Sequence, residues 1–572
     1  MPGCRLVSIA NQQSQNDEIE INRLAVTTPP FKNSYLVGEM FSSIGLVVVD
    51  QNNVELYNFK LSLEENHVFT IDDIGDYRID VTLENYESTY FSVEVHEEHK
   101  TGPNLVSLYI TNDMHGQVDS QSNRCDLVTY ASFLKERSDE ENTLLIDQGD
   151  TWQGSIYSNN NHGELLTDVM NYVKFDARTV GNHDFDWGVE YVKHNTAMSY
   201  EGYSTPVLAA NVYDYNFLTK VTGSTQQSDI GRKTVSYVLE NGLKVGIVGV
   251  IGYKQITSIV TRNVQNIIFK NHINVIKEEA TKLRDEENCD IVIASCHAGQ
   301  EDMLGYNLED YVDLVLCAHT HRYENTYENG LYYAQYGGYN QYIGHIDLSY
   351  DPNTKEVTYE TIEALDKNYI SEHTTKDTTI KSLVDAKLNE YHDEAYTIVA
   401  NSVTGSFYSS DQMANLMCKA IYDEAVKEGY SISLSYCNNA RASLYGSIWY
   451  YEDIFQAFPF ENEIYIIEID GHDMMNEVSE YNYVCRSPSF DGTVSYSGTY
   501  RIAVIDYLAI HTNTSRNYDY FPSARVVDTL NYNYREILYR WLIDNNYHSG
   551  AGLYASDFSS SLEQFNRHFV VA

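Results

Sequence analysis

Five short stretches of this chain set imidazoles and carboxylates directly after apolar runs. "LYITNDMHGQ" carries Asp113 and His115, and "LLIDQGDTWQG" carries Asp147 and Asp150. "RTVGNHDFDWG" supplies Asn182, His183, Asp184 and Asp186, while "VIASCHAG" contains His297 and "LVLCAHTHR" contains His319 and His321. Neutral imidazole and carboxylate are the standard ligands of divalent transition metals. Singly, each stretch is ordinary, because Asn, Asp and Gly tolerate unusual backbone angles and collect in turns. Five of them between residues 113 and 321, each opening at the end of an apolar run, point to one shared metal site.

The elements that must position them are legible in the same region. The runs "LVSLYI", "TLLID", "KVGIVGVIG", "DIVIAS" and "DLVLCA" read as strands, and "KNHINVIKEEATKLRDEEN" (270–288) has helical apolar spacing. Strands alternating with helices predict an α/β fold, in which loops at the carboxyl ends of strands converge on a ligand crevice. Before this region, residues 18–97 read as short strands of a small β-sandwich. Tyr77, Ile79, Val81 and Leu83 alternate onto one face, and Phe91, Val93 and Val95 onto the returning one. "HEEHKTGPN" (96–104) reads as a linker, 103–365 as the catalytic domain, 366–398 as a charged helical bridge and 399–572 as a second α/β unit.

The bulk numbers narrow the function. At 572 residues the chain is expected to hold about three domains. Its 82 acidic and 38 basic residues give a formal net charge of -44, which repels nucleic-acid backbones and anionic membranes. A small phosphorylated ligand remains compatible if site cations reverse the local field. The eight cysteines form no CxxC pair, and Cys289, Cys296 and Cys317 fall in or beside apolar runs, so buried thiols are expected. No apolar run is long enough to span a bilayer, and "MPGCRLVSIANQQSQNDEIE" lacks the apolar core of a signal peptide.

In order, the stretches resemble the D-x-H, G-D, G-N-H-[DE], H and G/A-H-x-H blocks of the calcineurin-like metallophosphoesterases. "TNDMHGQ", "DQGDTWQGS", "GNHDFDWG", "AHTH" and "QYGGYNQYIGHIDL" (335–348) are similar, more narrowly, to the 5'-nucleotidase family. The resemblance implies a four-layer α/β/β/α sandwich followed by a C-terminal α/β domain. It implies two divalent ions (Zn, Mn, Fe or Co) bridged by Asp150, one held by Asp113, His115 and His321, the other by Asn182, His297 and His319. His183 would face the substrate phosphate, oriented by Asp186. Two cations roughly 3.5–4 Å apart neutralise phosphoryl oxygens and acidify a bound water.

The implied reaction is release of phosphate from nucleotides. A 2',3'-cyclic-nucleotide phosphodiesterase with 3'-nucleotidase activity and a UDP-sugar hydrolase are the enzymatic alternatives, and a non-catalytic surface adhesion protein is the alternative of another class. The block "LSYCNNARASLYGSIWYYEDIFQAFPFENEIYIIEIDG" resembles the family's N-G-G-G-[IV]-R and P-F-x-N segments. Arg441 then matches the substrate-contacting arginine and Phe460 a base-stacking ring. Asn415 in "QMANL" matches an upstream N-L block. The glycine triplet reads Cys437-Asn438-Asn439, with Asn438 a candidate substrate contact and Tyr436 where the leading Asn belongs. The block bearing the second stacking ring is replaced by "NTSRNYDYF", with Tyr518 or Tyr520 as substitutes. "SYLVGEMFSSIGLVVV" resembles bacterial immunoglobulin-like surface domains, implying an extracellular or cell-surface location with possible cell-wall contact.

Overall fold

The computed structural model describes residues 22–96 (apart from 29, 31–33, 38–39, 42, 44–45, 53 and 55), 104–120, 123–215, 225–509, 512–513 and 518–572. The extreme N-terminus with Cys4 and most of the expected 96–104 linker lie outside the described residues. The chain divides into two compact units, Met1–Thr101 and Gly102–Ala572.

In the first unit, Asn22–Thr28 pairs with Val47–Asp50 and Tyr86–Glu87 in one small sheet. A second sheet holds Ser34–Leu36, Thr89–His96, Gly75–Thr82 and Lys60–Leu61 in that order. Alternation decides the register: Ile79 lies opposite Phe91 and Tyr77 opposite Val93. Ile79, Val81, Phe91, Val93 and Val95 are therefore buried together with Tyr35, Phe41 and Phe69.

The second unit begins with two six-stranded mixed sheets. Six parallel strands carry the residues of interest: β1 (Leu105–Thr111), β2 (Thr143–Asp147), β3 (Ala177–Thr179), β4 (Lys244–Ile251), β5 (Ile291–His297) and β6 (Leu314–Leu316). In the first sheet β3, β2 and β1 are consecutive, and the antiparallel strands Tyr342–Asp351 and Glu356–Asp366 extend it beyond β1. In the second, β4, β5 and β6 are consecutive. The sheets pack face to face, so Thr179 of β3 bonds Ser295 of β5 through their hydroxyls at 2.5 Å. Strands buried on both faces must be apolar throughout, which is why β4 and β5 read as unbroken hydrophobic runs.

Helices Leu127–Ser138, Glu164–Val173 and Thr378–Ala395 cover the first sheet through one apolar core, and His272–Asp285 covers the second. The result is the expected four layers, α/β/β/α. Part of the 366–398 segment contributes to that core, with Ile370, Ile380, Val384 and Ala395 buried in it. The C-terminal portion is built on the sheet Tyr483–Arg486, Leu434–Cys437, Thr499–Ile505, Ile464–Asp470 and Arg525–Thr529. Helices Gln412–Lys427 and Tyr534–Asp544 share its core.

Candidate active site

The strand ends converge. Asp113 and His115 follow β1, Asp150 follows β2, Asn182 follows β3, His297 closes β5, and His319 and His321 follow β6. Asp113, His115, Asp150, His319 and His321 all adopt left-handed backbone, with φ of 49°, 49°, 53°, 75° and 56°. Non-glycine side chains at such angles are strained, and strain of this kind persists where surrounding structure enforces it, most often at functional sites. Close loop crossing contributes: Gly149 has φ +90°, and a Cβ on Gly181 would overlap the Asp150 carboxylate.

Two clusters result, Asp113–His115–His321 and Asp150–His297–His319, each with ligand atoms within 4.8 Å of one another. Nδ1 of His115 lies 2.9 Å from the Gln153 carbonyl oxygen, and Nδ1 of His297 lies 2.8 Å from that of Gln148. A carbonyl only accepts, so each neutral ring carries its proton on Nδ1 and turns a bare Nε2 inward. His115 Nε2 then meets His321 Nε2 at 3.0 Å, and His297 Nε2 meets Asn182 Oδ1 at 3.1 Å. Asn182 Oδ1 also faces His319 Nδ1 at 2.9 Å. Asp150 Oδ2 is buried, makes no well-formed hydrogen bond, and faces His297 Nε2 at 3.2 Å and His115 Nε2 at 3.8 Å.

Lone pairs gathered this closely repel unless a cation lies among them, so the donor set fits two divalent ions. Two of these imidazoles shift in opposite directions. Burial opposes charge on His297, yet the Asp150 and Asp113 carboxylates lift its pKa to about 9. Burial and the neighbouring His297 lower His319 to about 4.

His183 stands beside these clusters. Its backbone N–H donates to Asp150 Oδ1 at 2.7 Å, and its Nδ1 lies 2.9 Å from Asp186 Oδ2. Burial lowers its pKa, but the Asp186 and Asp150 carboxylates outweigh it and the net shift is upward. The Phe460 ring stacks on His183 at 5.1 Å, and Arg441 lies over Phe460 at 5.5 Å while donating to the Tyr339 hydroxyl at 3.2 Å. A cavity of about 260 Å³ opens here, lined among others by His183, Asp186, His319, Asn438, Asn439, Arg441, Phe460 and Tyr507.

The calcineurin-like phosphoesterase family matches residues 106–323. That stretch is a calcineurin-like phosphoesterase domain. An apyrase from Tabanus yao is 31% identical over 244 residues, covering 39% of this chain and 40% of the relative. A 5'-nucleotidase from Diplobatis ommata is 27% identical over 285 residues, 44% of this chain and 47% of the relative. The chain thus spans less than half the length of these curated relatives. The crystal structure of a 5'-nucleotidase precursor from Thermus thermophilus shares the fold, with a TM-score of 0.61 at 16% identity over 77% of this chain and 96% of that one.

The phosphoesterase domain and the C-terminal portion together bring the expected His183, Asp186, Asn438, Arg441 and Phe460 to one cavity. They do not bring every other candidate there. Tyr436 is fully buried and bonds Glu477, because β-strand alternation turns it into the C-terminal core. Asn415 is also buried and donates to the Phe558 carbonyl oxygen and to Asp411. The backbone of Tyr518 forms the short strand Tyr518–Asp519, and its side chain lies outside the described residues.

Three contributors escaped the sequence reading. Tyr507 lines the cavity beside Phe460. Tyr339 stacks on His115 at 4.9 Å and anchors Arg441. Arg178, buried on β3, pairs with Asp184 at 2.6 Å and donates to Thr151 Oγ1 at 2.9 Å, bracing the loops that follow β2 and β3. A lone arginine inside a strand next to "GNHD" was the available signal for Arg178.

Proposed function

We propose that this chain hydrolyses phosphomonoesters of nucleotides. The observation that carries the reading is the pair of three-residue ligand clusters beside His183, at the mouth of a cavity with an arginine and aromatic rings. One ion would be held by Asp113, His115 and His321, the other by Asn182, His297 and His319, with Asp150 between them. When bound, two such ions neutralise phosphoryl oxygens and lower the pKa of an attacking water.

The chain's own residues supply the rest. With Nδ1 bonded to Asp186, whose carboxylate favours the charged ring, His183 is oriented to donate a proton from Nε2 to the departing ester oxygen. Arg441 neutralises phosphate charge, held on the Tyr339 hydroxyl. Phe460 and Tyr507 offer aromatic surface to a nucleobase, and Asn438 and Asn439 place amides where they can read polar edges. We further infer a cell-surface location, with the N-terminal unit making the contact; fractionation of the producing cells tests it.

The enzymatic test is phosphate release by protein loaded with Mn²⁺, Zn²⁺ or Co²⁺, on AMP, 3'-AMP, a 2',3'-cyclic nucleotide and UDP-glucose. Release from AMP that His183→Ala slows by about 10²–10⁴-fold supports the reading. A preference for the cyclic or sugar-linked substrates moves it to the alternatives, and no release from any of them defeats it.

A further inference from the structure

A second cavity, of about 490 Å³, adjoins the first and shares Asp186, Arg262, Asn263 and Glu461 with it. Its lining is of another kind. His162 and Tyr191 stack nearly parallel, 4.0 Å apart at 14°, and Trp187 sets an edge against His162 at 5.3 Å. Tyr191 stacks one face on His162 and is 39% exposed, so part of its aromatic surface is accessible from the cavity. The C-terminal portion adds Glu461, Glu463 and Glu536 to the same cavity.

The charges there are poorly compensated. Arg262 is already paired with Glu463 and Asp506 at 2.5 Å each, and Glu461 has Arg535 only at 3.8 Å. Glu536 has no ion pair among the described residues. An anion would be repelled from this lining. A metal ion is also poorly served, since among the described residues three-ligand clusters occur only at the site already described. Aromatic faces beside unneutralised carboxylates attract organic cations, which gain from both the ring quadrupole and the negative charge.

We propose that this second chamber binds an organic ammonium group, quaternary or alkylated, between the Tyr191–His162–Trp187 corner and the Glu536 carboxylate. The ammonium belongs either to the leaving alcohol of a phosphoester whose phosphate lies at His183 or to a separate small molecule. Binding itself does not depend on the hydrolytic reading.

Calorimetric titration of the full chain with choline, against its uncharged isostere 3,3-dimethyl-1-butanol, tests the proposal. Saturable choline binding at least about tenfold tighter than the isostere is expected, with Tyr191→Ala and Glu536→Gln each weakening it by about threefold to tenfold. His183→Ala, which frees the Asp186 carboxylate in the shared wall, should not weaken choline binding, which separates this proposal from the fate of the catalytic one. Equal binding of the two compounds, or saturation by neither, overturns it. Phosphate release from phosphocholine and glycerol phosphate then distinguishes the sources. A phosphocholine preference lost in Glu536→Gln assigns the cation to the leaving alcohol, and choline binding without such a preference assigns it to a separate ligand.

Discussion

Two residues divide the work that a single polar stretch encodes. His183 faces the cavity, whereas Asp184, one position on, turns inward to accept from the Gly181 N–H at 2.7 Å and to pair with Arg178. Substitutions should separate the roles. His183→Ala is expected to lower kcat by about 10²–10⁴-fold with an unchanged melting temperature, the range for loss of a proton donor. Asp186→Asn, which keeps the shape but removes the carboxylate from His183 Nδ1, should cost about 10–100-fold. Arg178→Met should instead destabilise the fold by about 3–5 kcal/mol, because it strands Asp184 as a buried, unpaired charge. Chemical denaturation and steady-state rates on the three variants distinguish them, and a merely slowed but fully stable Arg178→Met would refute the bracing role.

At the scale of elements, the two antiparallel strands Tyr342–Asp351 and Glu356–Asp366 carry a buried charged triad. His345 lies 2.7 Å from Glu363 through Nδ1 and 3.2 Å from Asp347 through Nε2, with Tyr109 of β1 stacked on its ring at 4.7 Å. Burial opposes the imidazolium, but the two carboxylates lift the His345 pKa from 6.5 to about 10. A raised folded-state pKa stabilises fully below the unfolded value and loses that contribution as pH climbs toward the folded one. The stability gap between the wild type and His345→Gln, measured in urea, should therefore be widest at or below pH 6.5 and close toward pH 10. A gap that widens with pH would contradict the assignment. These elements also show what a sequence discloses. Strands β4 and β5 were legible because burial on both faces demands unbroken apolar runs, and the ligands because polar types are conspicuous where such runs stop. Strand β3 is three residues, "ART", with no periodicity to read, so only the loop after it announced itself. Tyr339 and Tyr507 stayed hidden among 50 tyrosines, most of which have no feature separating a core ring from a cavity ring.

Across the whole molecule, Arg262 is the residue whose loss should be felt furthest. It sits between β4 and the helix His272–Asp285 in sequence, yet its guanidinium meets Glu463 and Asp506 in the C-terminal portion, 2.5 Å from each. Asp506 is fully buried, and burial raises its pKa to about 6 although Arg262 works to lower it. Arg262 also lines both cavities, so the contact that ties the two portions together is part of the wall of each. A role confined to stability predicts that Arg262→Met lowers the melting temperature and leaves KM alone. A role in holding the cavity closed predicts a rise in KM for AMP at temperatures where the variant is still fully folded, with kcat changed much less, because His183 and both ligand clusters stay on the phosphoesterase domain. The second outcome is expected, by about tenfold, since losing one member of a buried charge pair leaves Asp506 to seek water and loosens the seam beside Phe460 and Tyr507. Steady-state kinetics well below the variant's melting temperature decide it, and an unchanged KM would confine Arg262 to stability.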